Sequence, residues 1–228
     1  TGSGKSTTLA AIIDYANERR KSRIITIEDP IEFVHQNKNC VISHREVGTH
    51  TKSFAAALRS ALREDPDIIL VGEIRDLETA RLAMEAAATG HLVFSTLHTI
   101  GATKTVDRLI EMFPTDEQEF VRSLLADVIR GIISQTLFKR IDRPGRIAAL
   151  EIMVATYGIR NLIRENKTHQ LSSLIQTGKK YGMQTLDDAI MELLSKGFIS
   201  AEDAYLNAID KAKFKSFLKR IPRDFTEI

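Results

Sequence analysis

The sequence predicts an α/β fold with a mainly parallel sheet, followed by a smaller all-helical region. Three observations predict it. Between Lys5 and Glu111, short β-branched runs alternate with helical periodicities, the pattern of crossover units. Two of those runs, residues 67–71 (DIILV) and 91–96 (HLVFST), are nearly continuous in apolar character, as strands covered on both faces require. Beyond residue 155 strand character gives way to short amphipathic helices.

Taken in order, Lys5 to Arg20 places Leu9, Ile12, Ile13 and Ala16 at helical spacing and ends in Arg19-Arg20-Lys21, a cluster suited to a helix C-terminus. Residues 23–27 (RIITI) predict a strand. Ser53 to Arg63 predicts a helix that stops before Asp65-Pro66. Residues 67–71 predict a buried strand, Leu77 to Ala88 a helix closed by Gly90, His91 to Thr96 a second buried strand, and Ala102 to Glu111 a further helix. Val128 to Phe138 and Arg146 to Val154 flank Asp142-Arg143-Pro144-Gly145 and predict a hairpin. A boundary near 155 divides the chain into residues 1–155 and a helical 156–228. The basic stretch 211–220 (KAKFKSFLKR) reads as a solvated helix face.

The bulk numbers narrow the function classes. With 228 residues there is room for one large α/β domain, or for one such domain and a smaller partner. A net charge of +2 is too small to make nucleic acid the main partner. The one cysteine, Cys40, excludes an intrachain disulfide and a tetracysteine zinc site, and points to a reducing compartment. No apolar run approaches the roughly 20 residues that span a bilayer. The expectation is therefore no direct membrane span, with any membrane association made through partners or a surface.

Residues 2–7 (Gly2, Ser3, Gly4, Lys5, Ser6, Thr7) form the second half of a P-loop. Glycines let backbone N–H groups converge on phosphate oxygens, and the helix that follows points its positive end at the same place. Lys5 would reach the β- and γ-phosphates of ATP, and the Ser6 hydroxyl would sit on Mg2+. The first glycine of the pattern would lie two positions before Thr1, so an N-terminal portion is expected upstream.

Three further segments supply acids and imidazoles. Residues 67–73 (DIILVGE) form an apolar strand delivering an acid, with Gly72 where Asp is usual and Glu73 next to it. Either Glu73 supports the magnesium shell, or another carboxylate shares the task. Residues 27–33 (IEDPIEF) put Glu28, Asp29 and Glu32 at the end of the strand at 23–27, where a general base could contact an attacking water. Residues 90–99 (GHLVFSTLHT) hold His91 before a strand and His98 just past it. Ligands gather at the carboxyl ends of parallel strands, which favours Thr96 and His98 as γ-phosphate sensors and leaves His91 without an assignment.

Together GSGKST, EDPIEF, DIILVGE and GHLVFSTLHT resemble, in order and spacing, the P-loop, Asp box, Walker B and His box of the secretion and pilus ATPase superfamily. That resemblance implies a RecA-like P-loop NTPase core with Gly72 as the family norm. It implies Lys5 and Ser6 at phosphates and magnesium, Glu32 as general base, Glu73 as the Walker B acid, and His91 and His98 as the His-box pair. Residues 158–165 (GIRNLIRE) are similar to the AIRNLIRE motif of the pilus retraction group, with Gly158 for Ala; bare periodicity makes them an amphipathic helix.

Membership of the group would imply a homohexameric ring and a PAS-like domain upstream. It would also imply a cytoplasmic location, peripheral at the inner face of the membrane, and an inner-membrane platform protein as partner. The alternatives are a pilus assembly or type II secretion ATPase, and a nonhydrolysing nucleotide-gated module. Arg59, Arg63 and Arg75 are candidate charge-neutralising groups between which sequence does not choose.

Overall fold

The computed structural model describes residues 2–218. At its centre is a parallel sheet of β1 (Arg23–Glu28), β2 (Val41–Glu46), β3 (Ile68–Val71) and β4 (Leu92–Ser95), in the order β2-β1-β3-β4. The register runs Ile24 to Ile42 and Ile68 from the middle strand, then Ile68 to Leu92. Alternate side chains leave a strand on opposite faces. Ile24, Ile42, Ile68 and Leu70 therefore pack with Ile13 and Ala16 of α1 (Lys5–Arg19). On the other face Ile25, Ile27, Ile69 and Val71 share one core with α2 (Phe54–Ala61), α3 (Leu77–Ala88), α4 (Ala102–Glu111) and α5 (Gln118–Val128). Covering both faces is what permits β3 to be apolar at every position.

The helices start where the caps lie. Ser53, Asp76 and Thr185 each accept a backbone N–H of the first turn, of Ala56, Thr79 and Asp188 respectively. The predicted hairpin forms as β5 (Gly131–Lys139) paired antiparallel with β6 (Arg146–Val154). Its turn is closed by the Arg140 N–H donating to the Gly145 carbonyl at 3.1 Å.

Four expectations need correction. The strand at 41–46 (VISHRE) was not predicted, because its outer half is polar and it extends the sheet beside β1. Val128 closes α5, so β5 starts at Gly131; α5 buries Val121, Leu125 and Ala126. β4 is half-buried rather than buried, because it ends the sheet and helps line, together with β5, a cavity of about 1090 Å³. Residues Lys211–Phe217 form a 3-10 helix that buries Phe214, so this segment is anchored and not only a solvated face; Lys219 and Arg220 lie outside the described residues.

Beyond residue 155 the described chain folds as α6 (Tyr157–Arg164), α7 (Leu171–Thr177), α8 (Leu186–Ser195) and α9 (Ala201–Asn207), with short 3-10 turns between them. Hydrophobic packing crosses residue 155 in both directions. Ile159, Ile163, Leu171 and Ile175 join the core under the sheet, while Phe138 and Ala149 of the hairpin join Leu186, Ile190 and Phe214. Within 158–165, Ile159 and Ile163 face inward and Arg160 donates to the carbonyls of Ala126 (2.7 Å), Asp127 (2.5 Å) and Ile129 (2.7 Å). That guanidinium closes the C-terminal end of α5, where unpaired carbonyls and the helix dipole both favour a cation.

Candidate active site

The loop before α1 is shaped for an anion. Gly4 caps the helix with φ +83, a conformation that costs glycine nothing, and among the described residues it leaves the first turn without a side-chain cap. Lys5 reaches only the Ser3 hydroxyl, at 3.5 Å, and makes no ion pair among the described residues. An unpaired ammonium beside unpaired amides is a receptor for phosphate oxygens.

Acids come to this loop from two strand ends. The chain leaves β1 through the cis Asp29–Pro30 peptide and is held by two contacts: the Val47 N–H donates to the Glu28 carbonyl, and the Ile31 N–H to Glu46 Oε2, each at 2.9 Å. That backbone donor, with the Thr49 hydroxyl second, holds the Glu46 carboxyl below the usual carboxylate range. The loop so fixed presents Glu32, whose Oε1 accepts the Ser6 hydroxyl at 3.0 Å. Glu28 stands beside it, its carboxyl raised above the ordinary value chiefly by burial and further by Glu32 and Glu46.

The second strand end carries Glu73. Gly72 precedes it because a Cβ there would meet the Ile27 carbonyl at 3.2 Å; its absence lets the Gly72 N–H donate to that same carbonyl at 2.8 Å. Glu73 is 8% exposed. Arg75 Nη2 lies 2.5 Å from one carboxylate oxygen and His98 Nε2 3.1 Å from the other. Such doubly held carboxylates are fixed in orientation. The Thr96 hydroxyl donates to the Gly72 carbonyl at 2.7 Å, tying β4's end to the same segment.

One cleft of about 510 Å³ collects residues 2–7, Glu28, Glu32, Glu73, Arg75, Thr96 and His98. Lys5, Glu32 and Glu73 thus share a cavity, the arrangement on which the sequence reading depends. His91 is not brought there. It sits before β4, its ring Nδ1 2.9 Å from the Ala86 carbonyl, and closes the end of α3. Of the three candidate arginines, only Arg75 lines the cleft; Arg59 pairs with Glu78 on the surface and Arg63 is exposed after α2. Ser6 and Glu73, the residues expected at Mg2+, both line this cleft and offer only oxygens, which suits a hard cation that takes one or two carboxylates alongside phosphate oxygens.

The chain matches, over residues 1–206, the family described as type II/IV secretion system protein. The chain belongs to that family. It is 60% identical over 213 residues to a Pseudomonas aeruginosa protein named type IV pilus retractation ATPase PilT, covering 93% of this chain and 60% of the relative. It is 58% identical over 204 residues to a twitching motility protein of Neisseria gonorrhoeae, covering 90% and 54%. A crystal structure of the pilus retraction motor PilT with bound ADP superposes with a TM-score of 0.86 at 50% identity, covering 93% of this chain and 60% of that one. The chain therefore spans between half and two thirds of the length of these relatives.

Sequence reasoning on this secretion-family chain missed two residues. Gln135 of β5 and Arg146 of β6 reach the P-loop across the fold, with Gln135 Nε2 2.6 Å from the Ser3 carbonyl and Arg146 Nη1 3.4 Å from that of Gly2. Neither stands in a recognisable motif; the only signal available was that a hairpin had to pack somewhere against the strands before it.

Proposed function

We propose that the protein containing this chain is a magnesium-dependent ATPase that powers retraction of type IV pili, working as a homohexameric ring at the inner face of the cytoplasmic membrane. Residues 1–155 serve as the ATPase core and 156–228 as the helical domain attached to it. A platform protein in the inner membrane takes up the mechanical work. The observation that carries this reading is the shared cleft of Lys5, Glu32 and Glu73. The match to an ADP-bound retraction motor supports it.

Within that reading the roles follow from the geometry. Backbone amides of residues 2–6 and the Lys5 ammonium hold the phosphates of ATP and spread the charge that builds up on the transferred group. Bound magnesium would be held by Ser6 and Glu73, and would neutralise phosphate charge. Glu32, exposed in the cleft beside Ser6, accepts the proton of the attacking water. Arg75 and His98 keep Glu73 in place, so that its carboxylate meets the site without reorganisation. His91 serves the fold by its bond to Ala86.

The test is the ATP turnover and the molecular mass of the complete protein, with and without nucleotide. Turnover dependent on magnesium, with a sixfold assembly, is the expected result. Tight ATP binding without turnover would favour the nonhydrolysing module. Turnover accompanied by pilus extension or secretion, in a strain lacking its own motor, would favour the assembly or secretion ATPase.

A further inference from the structure

We propose that Gln135 is a positioning residue for the P-loop, a staple thrown from the β5–β6 hairpin across both flanks of Lys5. The inference rests on the nucleotide reading of the cleft. The side-chain amide of Gln135 uses both of its ends. Its Nε2 donates to the Ser3 carbonyl at 2.6 Å, and its Oε1 accepts the Thr8 hydroxyl at 2.7 Å. Ser3 lies two residues before Lys5 and Thr8 three residues after it. One planar group thus fixes the entrance to the loop and the first turn of α1 together.

The bond to Ser3 sets the direction of a phosphate ligand. Across a planar trans peptide the C=O and the following N–H point opposite ways. Holding the Ser3 carbonyl toward Gln135 turns the Gly4 N–H away from it, and Gly4 lines the cleft of about 510 Å³, which Gln135 does not line. Gly4 shows how tight the contact is. A Cβ built there would fall 2.6 Å from Gln135 Nε2, so any side chain at position 4 would push the amide off both partners. The amide donates to a carbonyl and accepts from a hydroxyl at the same time; an ionised Glu lacks the donor and Leu lacks both.

The fold does not need this contact to hold the hairpin. Ser134 Oγ accepts the Gly101 N–H at 3.0 Å and Glu151 Oε1 accepts the Ala102 N–H at 2.6 Å, which docks the hairpin on α4 independently. The hairpin also pairs with the helical region, where the Ile152 N–H donates to the Gln184 carbonyl at 2.8 Å and the Ile152 carbonyl accepts the Gln184 N–H at 3.0 Å. Gln135 therefore ties the phosphate-binding loop to an element that the C-terminal helices grip.

The experiment compares Gln135→Leu, Thr8→Val, Thr8→Ser and Lys5→Ala in the complete protein. ADP affinity, kcat and KM for ATP, and the unfolding midpoint without nucleotide are measured. Gln135→Leu is expected to raise the ADP dissociation constant and KM by about 5- to 10-fold, the loss of one or two hydrogen bonds. Its kcat at saturating ATP should stay within about twofold, as an element acting on ground state and transition state alike requires. Thr8→Val should raise the dissociation constant less and add nothing to Gln135→Leu, and Thr8→Ser should restore it. Unchanged ADP affinity in Gln135→Leu, beside a Lys5→Ala variant that has lost it, overturns the staple and leaves the nucleotide site standing. A lowered midpoint with unchanged affinity overturns it too, by making the contact structural only. If Gln135→Leu does not fold, the Thr8→Val and Thr8→Ser pair decides, equal affinity in both counting against the proposal. ADP binding equally weak in wild type and Lys5→Ala removes the underlying reading itself.

Discussion

At the carboxyl end of the parallel sheet, among the described residues, Lys5 makes no ion pair, Glu28 is partly desolvated and Glu32 accepts one serine hydroxyl. At the amino end the same kinds of side chain are fully occupied. Arg23 pairs with Glu64 at 2.9 Å, Asp67 accepts the Arg23 N–H at 2.7 Å, and His91 bonds the Ala86 carbonyl. Both ends are rich in charge, so charge does not mark the site. What separates them is the mixture: at the amino end these groups pair with one another, whereas at the carboxyl end the held carboxylates Glu46 and Glu73 stand beside Lys5 and Glu32, which keep most of their bonding capacity for the cleft. A buried or half-buried polar group left without its partner is costly, and that cost is the sign of a ligand or a reaction.

Glu32 offers the hardest test of that contrast. Glu32→Gln keeps the shape and the hydrogen bond from Ser6 but removes the proton acceptor. Turnover is expected to fall by about a thousandfold, within the range of general-base removal, with ADP affinity changed little. Normal turnover in this variant, measured by phosphate release, would take Glu32 out of the base role. Lys5→Ala comes next. Removing a charged donor to phosphate should weaken ADP binding on the order of 100-fold. A smaller effect than that of Arg23→Ala at the opposite end would erase the distinction between the two ends.

The two histidines sharpen the comparison because they sit at opposite ends of one strand. His98→Ala leaves Glu73 with Arg75 alone and should cut turnover by about tenfold, one charge-assisted hydrogen bond's worth. His91→Ala should leave turnover within about twofold and lower the unfolding midpoint by a few degrees, the loss of one helix-closing bond of about 1 kcal/mol. Kinetics and thermal melts on the same two proteins decide the matter; the reverse pattern would put His91 in the chemistry.

The legible parts of the molecule are those whose signals are local. The P-loop, the strand-end acids and the spacing of α1 and α3 are properties of neighbouring residues, so Lys5, Glu32 and Glu73 could be named without a structure. β2 was hidden because Val41 and Ile42 are its only apolar residues, followed by Ser43, His44, Arg45 and Glu46, too short a run to stand out beside a turn-rich lead-in. Family resemblance assigned both histidines to the site, but the direction of β4 separates them by the length of the strand. Gln135 and Arg146 could not be read at all, since their partnership with the P-loop exists only after the hairpin folds back over more than 130 residues of chain.

The smallest expected effect belongs to Glu64, on the satisfied side of the comparison. Its carboxyl is held below the usual range by the hydrogen bond from Arg45 first, and by the charges of Arg45 and Arg23 after that. A carboxyl whose folded value is depressed gives stability that is present above its unfolded value and is lost as pH falls through the folded one. The wild type should therefore be more stable than Glu64→Gln at pH 7, and the two melting midpoints should converge as pH drops from about 5 toward 3, the range below an ordinary carboxylate. The pair is partly solvated, so the advantage at neutral pH stays at about 1 kcal/mol or less and shrinks in molar salt. Turnover at pH 7 should not move, because nothing in the cleft touches Glu64. A change in turnover would mean that the two ends of the sheet are coupled, and that the polar groups at the amino end do more than hold the strands in place.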